Sequence, residues 1–335
     1  MPNSITRRQL LQSAAVVSLG IPLAGLASSR WRNVASLPFA VQEIYPCLHN
    51  GEIWVAGGLS PKASEFVTDR VVRYNVADDT WQAAPSLPEP RHHGFLISTG
   101  GDLFLFGGFV VVSGRRWSAS KDVLKLDGDK WLKFGTMPKA QMETVAAVYD
   151  GRIHFTGGRA PHGTANAQWN DQSDVATHQV FDPETLETTS APPLPAARNS
   201  AASFVIGDQW HVVGGRTVAG GNSEQHDIFD FKTESWREGA PLPQAQGGLA
   251  AASVGAHGYV FGGEYFSSTG GGVYSEVWRY DSASEQWSQA GDMPLPRHGL
   301  GAVTANNQIY VVAGASQAGG RDTSNRLSVF QPGFL

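Results

Sequence analysis

A short apolar run that ends in two glycines recurs along this whole chain and constrains its fold more than any other feature. The clearest copy, Leu-Phe-Leu-Phe-Gly-Gly, spans residues 103–108. Steps of 50, 50, 57, 48 and 52 residues separate six copies, of which the last is degenerate and is aligned on Gly314. The first glycines of the other copies are Gly57, Gly107, Gly157, Gly214 and Gly262. Repeats of this length that carry short strands predict a β-propeller.

A second series of residues fixes the register of the repeats. Each repeat contains a Leu-Pro or Met-Pro pair, and six residues before each pair stands a Trp, replaced once by Thr. The six positions are Trp31, Trp81, Trp131, Thr188, Trp236 and Trp287. A double glycine, then an aromatic residue, then a Trp resembles the kelch repeat over residues 31–331. The resemblance implies an all-β, six-bladed kelch β-propeller.

The position of the first Trp predicts how the ring closes. Trp31 precedes the first complete repeat, whereas only a few residues follow Phe330. We therefore expect the strand around Trp31–Ala35 to complete the last blade, which would leave no open edge in the ring.

The first 29 residues are interpreted as a targeting segment and not as part of the fold. Thr6–Leu11 contains two arginines and precedes the apolar run Ala14–Leu26, which resembles a twin-arginine export signal. This leaves residues 30–335 as the propeller. It predicts a periplasmic or secreted protein without stable membrane insertion after cleavage.

Composition limits the possible partners and cofactors. The formal net charge of −5 argues against a nucleic-acid partner. The single cysteine, Cys47, excludes an internal disulfide framework and a Cys-rich metal site. No cofactor and no metal site is predicted.

The inner strand of each blade and the strand with the double glycine should meet at one end of the ring, where function concentrates in such scaffolds. The fifth residue after each Pro starts an inner strand there. In chain order these residues are Glu43, His93, Glu143, Ser200, Gly248 and Gly299. Three polar neighbours opposite three small residues predict a pocket with one polar wall. Alternatively, these side chains hydrogen-bond neighbouring blades or channel water, and no spacing signature supports a metal site there.

Two further sets of polar residues point to the same end. Arg91, Arg198 and Arg297, the third residues after Pro, either tie strand starts to adjacent carbonyls or bind a carboxylate or polyol through forked hydrogen bonds. Because His92 and His93 are adjacent on a predicted strand, they should point to opposite sides.

The residues directly after the double glycines include Arg159, Arg216 and Glu264, from three consecutive blades. The loops that follow carry Trp169 and Tyr265. Aromatic rings near arginines and carboxylates suit sugars, whose C–H faces stack on rings while their hydroxyls take polar partners. The alternative is an adaptable protein-binding surface.

Residues 262–264, Gly-Gly-Glu, are similar to the corresponding stretch of periplasmic sialic acid mutarotases, which are also exported six-bladed kelch propellers. The resemblance implies that Glu264 transfers the anomeric proton with help from an arginine. Because residues 265–272 contain no arginine, Arg216 is the candidate partner. Glu264 and Arg216 are thus the candidate catalytic residues of a mutarotase- or epimerase-like isomerase.

The predicted function is recognition of a carbohydrate or sugar acid at one end of the channel, with or without isomerase chemistry. The main alternative is a non-enzymatic interaction or accessory module of another exported protein. A remote alternative is a copper radical oxidase of the galactose oxidase type, which would need Cys47 cross-linked to a tyrosine such as Tyr45.

Overall fold

The computed structural model describes residues 30–333, and the predicted targeting segment therefore lies outside the described residues. The described chain consists of antiparallel strands, loops and two short 3-10 helices, Ser64–Phe66 and Trp169–Asp171. Within residues 30–333, no helix is long and apolar enough to cross a membrane.

Six four-stranded antiparallel sheets, called blades 1 to 6 in chain order, make up the body of the protein. In blades 1 to 5 the four strands follow one another from the axis outward. Their bounds are Cys47–His49, Glu52–Ala56, Val71–Asn75 and Thr80–Ala84 in blade 1; Phe95–Thr99, Asp102–Phe106, Asp122–Asp127 and Lys130–Thr136 in blade 2; Val145–Tyr149, Arg152–Thr156, His178–Phe181 and Thr188–Ala191 in blade 3; Ala202–Ile206, Gln209–Val213, His226–Asp230 and Ser235–Glu238 in blade 4; and Ala250–Val254, His257–Phe261, Glu276–Asp281 and Gln286–Asp292 in blade 5.

Blade 6 joins the two ends of the chain, as the position of Trp31 predicted. Gly301–Ala305, Gln308–Val312 and Leu327–Phe330 form its inner three strands, and Trp31–Asn33 forms the outer one. Trp31 pairs with Phe330 in this antiparallel register. The inner strands of neighbouring blades touch all the way round, including those of blades 6 and 1, so the ring is closed.

In blades 1, 2, 4 and 5 the recurring Trp fastens the blade to the connection that leaves the preceding blade. Its indole ring packs among apolar side chains, while its N–H donates to a backbone carbonyl of that connection at 2.8–2.9 Å. The pairs are Trp81 to Ala35, Trp131 to Pro85, Trp236 to Pro192 and Trp287 to Ala240. Thr188 has no indole, so blade 3 lacks this particular link.

Four blades carry an extra hairpin immediately after the glycine strand. These hairpins are Phe109–Val112 with Arg115–Ala119, Arg159–Pro161 with Gln172–Asp174, Glu264–Ser267 with Gly270–Val273, and Ala315–Gln317 with Arg321–Thr323. The first of them also pairs with the short strand Arg91–His92. All four rise from the end of the ring where the inner strands begin, and they build the walls of the site described next.

Candidate functional site

Six backbone hydrogen bonds form a closed circle around the axis at this end. Each fifth residue after Pro donates its N–H to the carbonyl of the equivalent residue in the preceding blade, with N–O distances of 2.7–3.5 Å. The members of this axial circle are Glu43, His93, Glu143, Ser200, Gly248 and Gly299. All six have φ between 50° and 69°. This left-handed conformation is uncommon for residues other than glycine and is often found at functional sites.

The residue after each double glycine pairs with the fourth residue after Pro of its own blade. Glu264 bridges Gly247, Arg216 bridges Asn199, and Ala315 bridges His298. The two sequence series therefore meet at the same end of every blade. The left-handed turn that follows the fourth residue overturns one expectation: His92 and His93 do not point apart, and their Nδ1 atoms lie 2.5 Å from each other.

The hydrogen-bond partners of this histidine pair fix where its protons lie. His92 Nε2 is 2.7 Å from the carbonyl oxygen of Arg116, so it must donate, and its Nδ1 must accept from His93. Burial lowers the pKa of His92 well below its usual value, in agreement with a neutral ring. His93 Nε2 lies 3.0 Å from Glu43 Oε2 and therefore donates to it. His93 thus donates from both nitrogens and carries a positive charge.

The two carboxylates beside His93 are held in the ionised form. Burial raises the pKa of Glu43, but the charges of His93, His298 and Arg216 outweigh burial and the pKa is lowered. Burial likewise opposes ionisation of Glu143, and His93, Arg159 and Arg216 reverse its effect, so its pKa is also lowered. Arg159 Nη1 lies 3.1 Å from Glu143 Oε1, and the Ser200 hydroxyl donates to Oε2 at 2.7 Å.

The second charged pair of the site joins blades 4 and 5. Arg216 Nη1 donates to Glu264 Oε1 at 2.5 Å, and the backbone N–H of Gly319 donates to Oε2 at 2.8 Å. His298 Nε2 lies 3.5 Å from the same Oε2. Burial lowers the pKa of Arg216, but Glu143, Glu264 and Glu43 more than compensate, so its pKa is raised and it remains charged.

A cavity of about 690 Å³ opens over these groups. Its charged floor is formed by Glu43, His93, Arg216, Glu264 and His298. Its walls come from the hairpins and carry the aromatic residues Trp117, Trp169, Tyr265, Phe266 and Tyr274. Glu264 is only 3 % exposed, whereas Trp169 and Tyr265 are 40 % and 41 % exposed. The polar groups therefore lie at the bottom and the rings stand above them.

Three of the predicted ligand-binding arginines do not reach this cavity. Arg91, Arg198 and Arg297 are buried, and their guanidinium groups donate to the backbone carbonyls of Gly107, Gly214 and Arg326 respectively, at 2.7–2.9 Å. They brace the strand starts. This corrects the prediction of a ligand role, because all three side chains are buried in the wall and none of them lines the cavity.

Arg159 is also withdrawn from the cavity, although it lies directly behind it. Its side chain is fully buried, pairs with Glu143 and stacks on Trp169, with Cζ 3.3 Å from the ring centroid. Its predicted direct contact with a ligand is thus corrected to support of Glu143 and Trp169.

The sequence analysis assigned no site role to two groups at the floor. His298 occupies the fourth position after Pro, and its role depends on a backbone turn that residue types do not reveal. The Gly319 N–H is a backbone donor and carries no side-chain signal.

A second, smaller cavity of about 330 Å³ lies in the bore of the ring and is lined by Tyr45 and Cys47. Burial raises the pKa of the Cys47 thiol to about 12. Tyr45 and Cys47, which the copper oxidase alternative requires, therefore line this bore cavity and not the cavity over the charged floor. In the described part of the chain, no group of three or more His, Cys, Asp or Glu side chains is arranged to hold a metal ion.

Comparison with known proteins agrees with this architecture. The family model described as the KLHDC2/KLHL20/DRC7 Kelch-repeats domain matches residues 44–242 and 170–333. The chain belongs to the kelch-repeat family.

Individual relatives and a solved structure extend this result. Kelch-like protein terF of Aspergillus terreus is 30% identical over 299 residues, which is 87% of this chain and 64% of that protein. Kelch-like protein 34 of Homo sapiens is 28% identical over 179 residues, which is 50% of this chain and 27% of that protein. The chain thus spans less than two thirds of the length of these curated relatives. The solved structure titled "Structure of YjhT" aligns with a TM-score of 0.74 at 18% identity, covering 88% of this chain and 96% of that one. This likeness supports the propeller fold alone.

Proposed function

We propose that this kelch propeller binds a carbohydrate or sugar acid in the pocket at the double-glycine end and catalyses the interconversion of its anomers. The observation that carries the proposal is the ion pair between the partly exposed Arg216 and the buried Glu264 at the floor of a cavity with aromatic walls. Sugar rings stack their C–H faces on aromatic side chains while buried polar groups take up their hydroxyls.

Anomer interconversion needs one base and one acid. The base removes the proton of the anomeric hydroxyl while the acid protonates the ring oxygen; the bond between the anomeric carbon and the ring oxygen then breaks to give the open-chain carbonyl form. Reclosure on the other face returns both protons. Glu264 is the base, since its carboxylate faces the cavity and Arg216 stabilises its charge. The His93–Glu43 pair is the acid, because it holds a proton at the floor.

The test is proton NMR of freshly dissolved sugars and sialic acids, which follows the approach to anomeric equilibrium. We expect acceleration by the protein and a loss of about 100-fold in Glu264→Gln, because one acid–base group contributes about 10²–10⁴-fold. Glu285→Gln is a matched control, since Glu285 pairs with Arg237 at the same 2.5 Å but on the exposed surface. Equal acceleration by Glu264→Gln and the wild type would exclude this role for Glu264.

A second candidate function is a non-enzymatic interaction or accessory module for another exported protein. Exposed apolar side chains near the same pocket favour it: Phe66 is 56 % exposed and Phe266 65 % exposed. Export itself remains a prediction from residues 1–29. The variant Phe66→Ser separates the two functions because Phe66 does not line the cavity: an interaction module would lose affinity for its partner, while a sugar isomerase would retain most of its activity.

A further inference from the structure

Two buried polar atoms of residues that line the main cavity have no hydrogen-bond partner within residues 30–333. They are His298 Nδ1 and Gln42 Oε1, in residues that are 1 % and 4 % exposed. The other buried side-chain nitrogens and oxygens without a partner in this part of the chain belong to residues that do not line the cavity. Because a buried polar atom without a partner is costly, these two atoms indicate a place that a bound molecule fills.

His298 has a counterpart in blade 2 whose ring is fully paired. His92 and His298 are both the fourth residue after Pro, and each ring lies with Nε2 at 2.7–3.1 Å from a backbone carbonyl of its own blade's hairpin. In blade 2, Nδ1 of His92 pairs with the ring of the next residue, His93. In blade 6 the next residue is Gly299, which has no side chain. Nδ1 of His298 therefore lacks the partner that its counterpart has.

The space beside His298 Nδ1 is open because the axial circle carries glycine there. A Cβ added to Gly248 would have no neighbour closer than 3.8 Å, and His298 Nδ1 is one of the atoms at that distance. Glu43 Oε1 lies 3.9 Å from Nδ1, which is too far for a hydrogen bond. A group of a ligand can thus approach this nitrogen.

Gln42 is the equivalent fourth residue in the neighbouring blade 1. Its amide Nε2 donates to the Gly320 carbonyl at 2.8 Å and to the Thr323 hydroxyl at 2.7 Å, which fixes the orientation of the side chain. Oε1 is left as an acceptor beside Gly320, which also lines the cavity, and a Cβ added to Gly320 would lie 3.4 Å from it. Blades 6 and 1 thus present two neighbouring hydrogen-bonding atoms that the protein does not use.

We infer that His298 Nδ1 and Gln42 Oε1 form a polar subsite that binds hydroxyl groups of the ligand. The inference rests on the proposed function and adds the side of the cavity toward which the sugar hydroxyls turn. A hydroxyl suits both atoms, because it can donate to an amide oxygen and can either donate to or accept from an imidazole nitrogen. His298 is then a direct ligand contact, in addition to the residues that transfer protons.

Two variants remove these atoms while largely preserving side-chain shape: His298→Phe and Gln42→Met. Dissociation constants for glucose, galactose and N-acetylneuraminic acid are measured by NMR titration. For each sugar that the wild type binds, we expect either variant to raise the dissociation constant by about five- to tenfold, as the loss of one hydrogen bond implies.

The chain offers matched controls for both variants. His211 and Gln246 each carry a buried side-chain atom without a partner, but neither residue lines the cavity. His211→Phe and Gln246→Met should therefore leave the dissociation constants unchanged. Circular dichroism of all four variants reports on folding.

Monodeoxy analogues of glucose and galactose give a readout that a purely structural role would not move. One analogue should bind the wild type about five- to tenfold more weakly than its parent sugar and lose nothing further in His298→Phe, because the hydroxyl and its partner are then both absent. A second analogue should behave in the same way toward Gln42→Met. Losses that simply add for every analogue would show that the variants act through structure, and the inference would be wrong.

Nitrogen NMR of the wild type with labelled histidine tests the inference without any variant. Adding a sugar that binds should shift the His298 Nδ1 signal, and an unchanged signal would overturn the contact. If both variants fold and bind as tightly as the wild type, the subsite is wrong, while the proposed function stands wherever anomer interconversion is accelerated. If the wild type neither binds nor interconverts any of these sugars, the proposed function fails and the subsite fails with it.

Discussion

At the residue scale, two buried histidine pairs in blades 3 and 4 make the free energy of unfolding of the protein sensitive to acid. His154 Nδ1 lies 3.1 Å from His178 Nε2, and His211 Nδ1 lies 2.9 Å from His226 Nε2. Burial lowers the pKa of His211 to about 3 and that of the other three to about 4. All four rings are thus neutral in the folded protein at pH values where an unfolded histidine, with a pKa of about 6.5, is protonated.

The sign of the pH effect follows from these values. Between about pH 6.5 and pH 4 the unfolded chain binds protons that the folded chain does not, so the free energy of unfolding should fall as the pH decreases through this window. Urea unfolding at a series of pH values measures the slope. The double variant His211→Gln, His226→Gln should reduce that slope by about two protons, since carboxylates titrate alike in both proteins. An unchanged slope would contradict this account.

At the scale of one element, the paired glycines serve the contact between blades. In each of the first five blades the first glycine has a left-handed φ, and a Cβ there would press on the carbonyl oxygen of the third residue after Pro in the next blade, such as that of Arg297 for Gly262. In blade 6 this place belongs to Ala313, with φ 51°, and not to Gly314, on which the sequence comparison aligned the copy. An alanine can occupy this conformation at a cost of about 1–2 kcal/mol. Aligning the copy on its only glycine, Gly314, therefore shifted it by one residue.

This difference gives a paired prediction. Gly262→Ala should lower the free energy of unfolding by at least about 2 kcal/mol, because left-handed strain adds to overlap with the Arg297 carbonyl. Ala313→Gly should change it by no more than about 1 kcal/mol, since relief of strain is offset by the greater entropy of the unfolded glycine. Urea unfolding of both variants tests the pair. Similar costs at the two positions would show that the close approach in blade 5 is not the reason for its glycine.

Prediction from sequence succeeded where backbone geometry repeats and failed where it changes a side chain's direction. Every blade keeps the double glycine, the Trp or both, which was enough to predict the repeated four-stranded sheet. The N-terminal strand closes blade 6 as expected. The site is less readable. The arginines after Pro carry the residue type of a ligand site but brace carbonyls, and the left-handed turn at His93 brings two histidines together that a regular strand would separate. Neither outcome is encoded in residue spacing.

For the whole molecule, the short strand Trp31–Asn33 closes the ring. The Trp31 ring packs against Phe330 and Phe261, with centroids 5.0 and 6.0 Å away. A protein that begins at residue 37 should unfold at a markedly lower urea concentration than one that begins at residue 30, because blade 6 loses its outer strand and its neighbours lose a packing surface.

A point variant complements the truncation. Trp31→Ala keeps the backbone pairing with Phe330 and should lower the free energy of unfolding by about 3 kcal/mol, as for a large aromatic truncated at a packed interface. Unfolding curves of the two truncated proteins and this variant are compared under identical conditions. Equal midpoints for the proteins that begin at residues 30 and 37 would mean that closure contributes nothing measurable.

The axial circle has an evolutionary consequence. Main-chain hydrogen bonds join its six members in addition to the side-chain contacts of Glu43, His93, Glu143 and Ser200, so a change of side chain at the axis leaves the main-chain bonds in place. Blades 1 to 3 present Glu, His and Glu there, and blades 4 to 6 present Ser, Gly and Gly. The ring thus presents six equivalent side-chain positions around one axis. Single substitutions at these positions can change the ligand specificity, while the glycines and tryptophans elsewhere in each repeat maintain the fold.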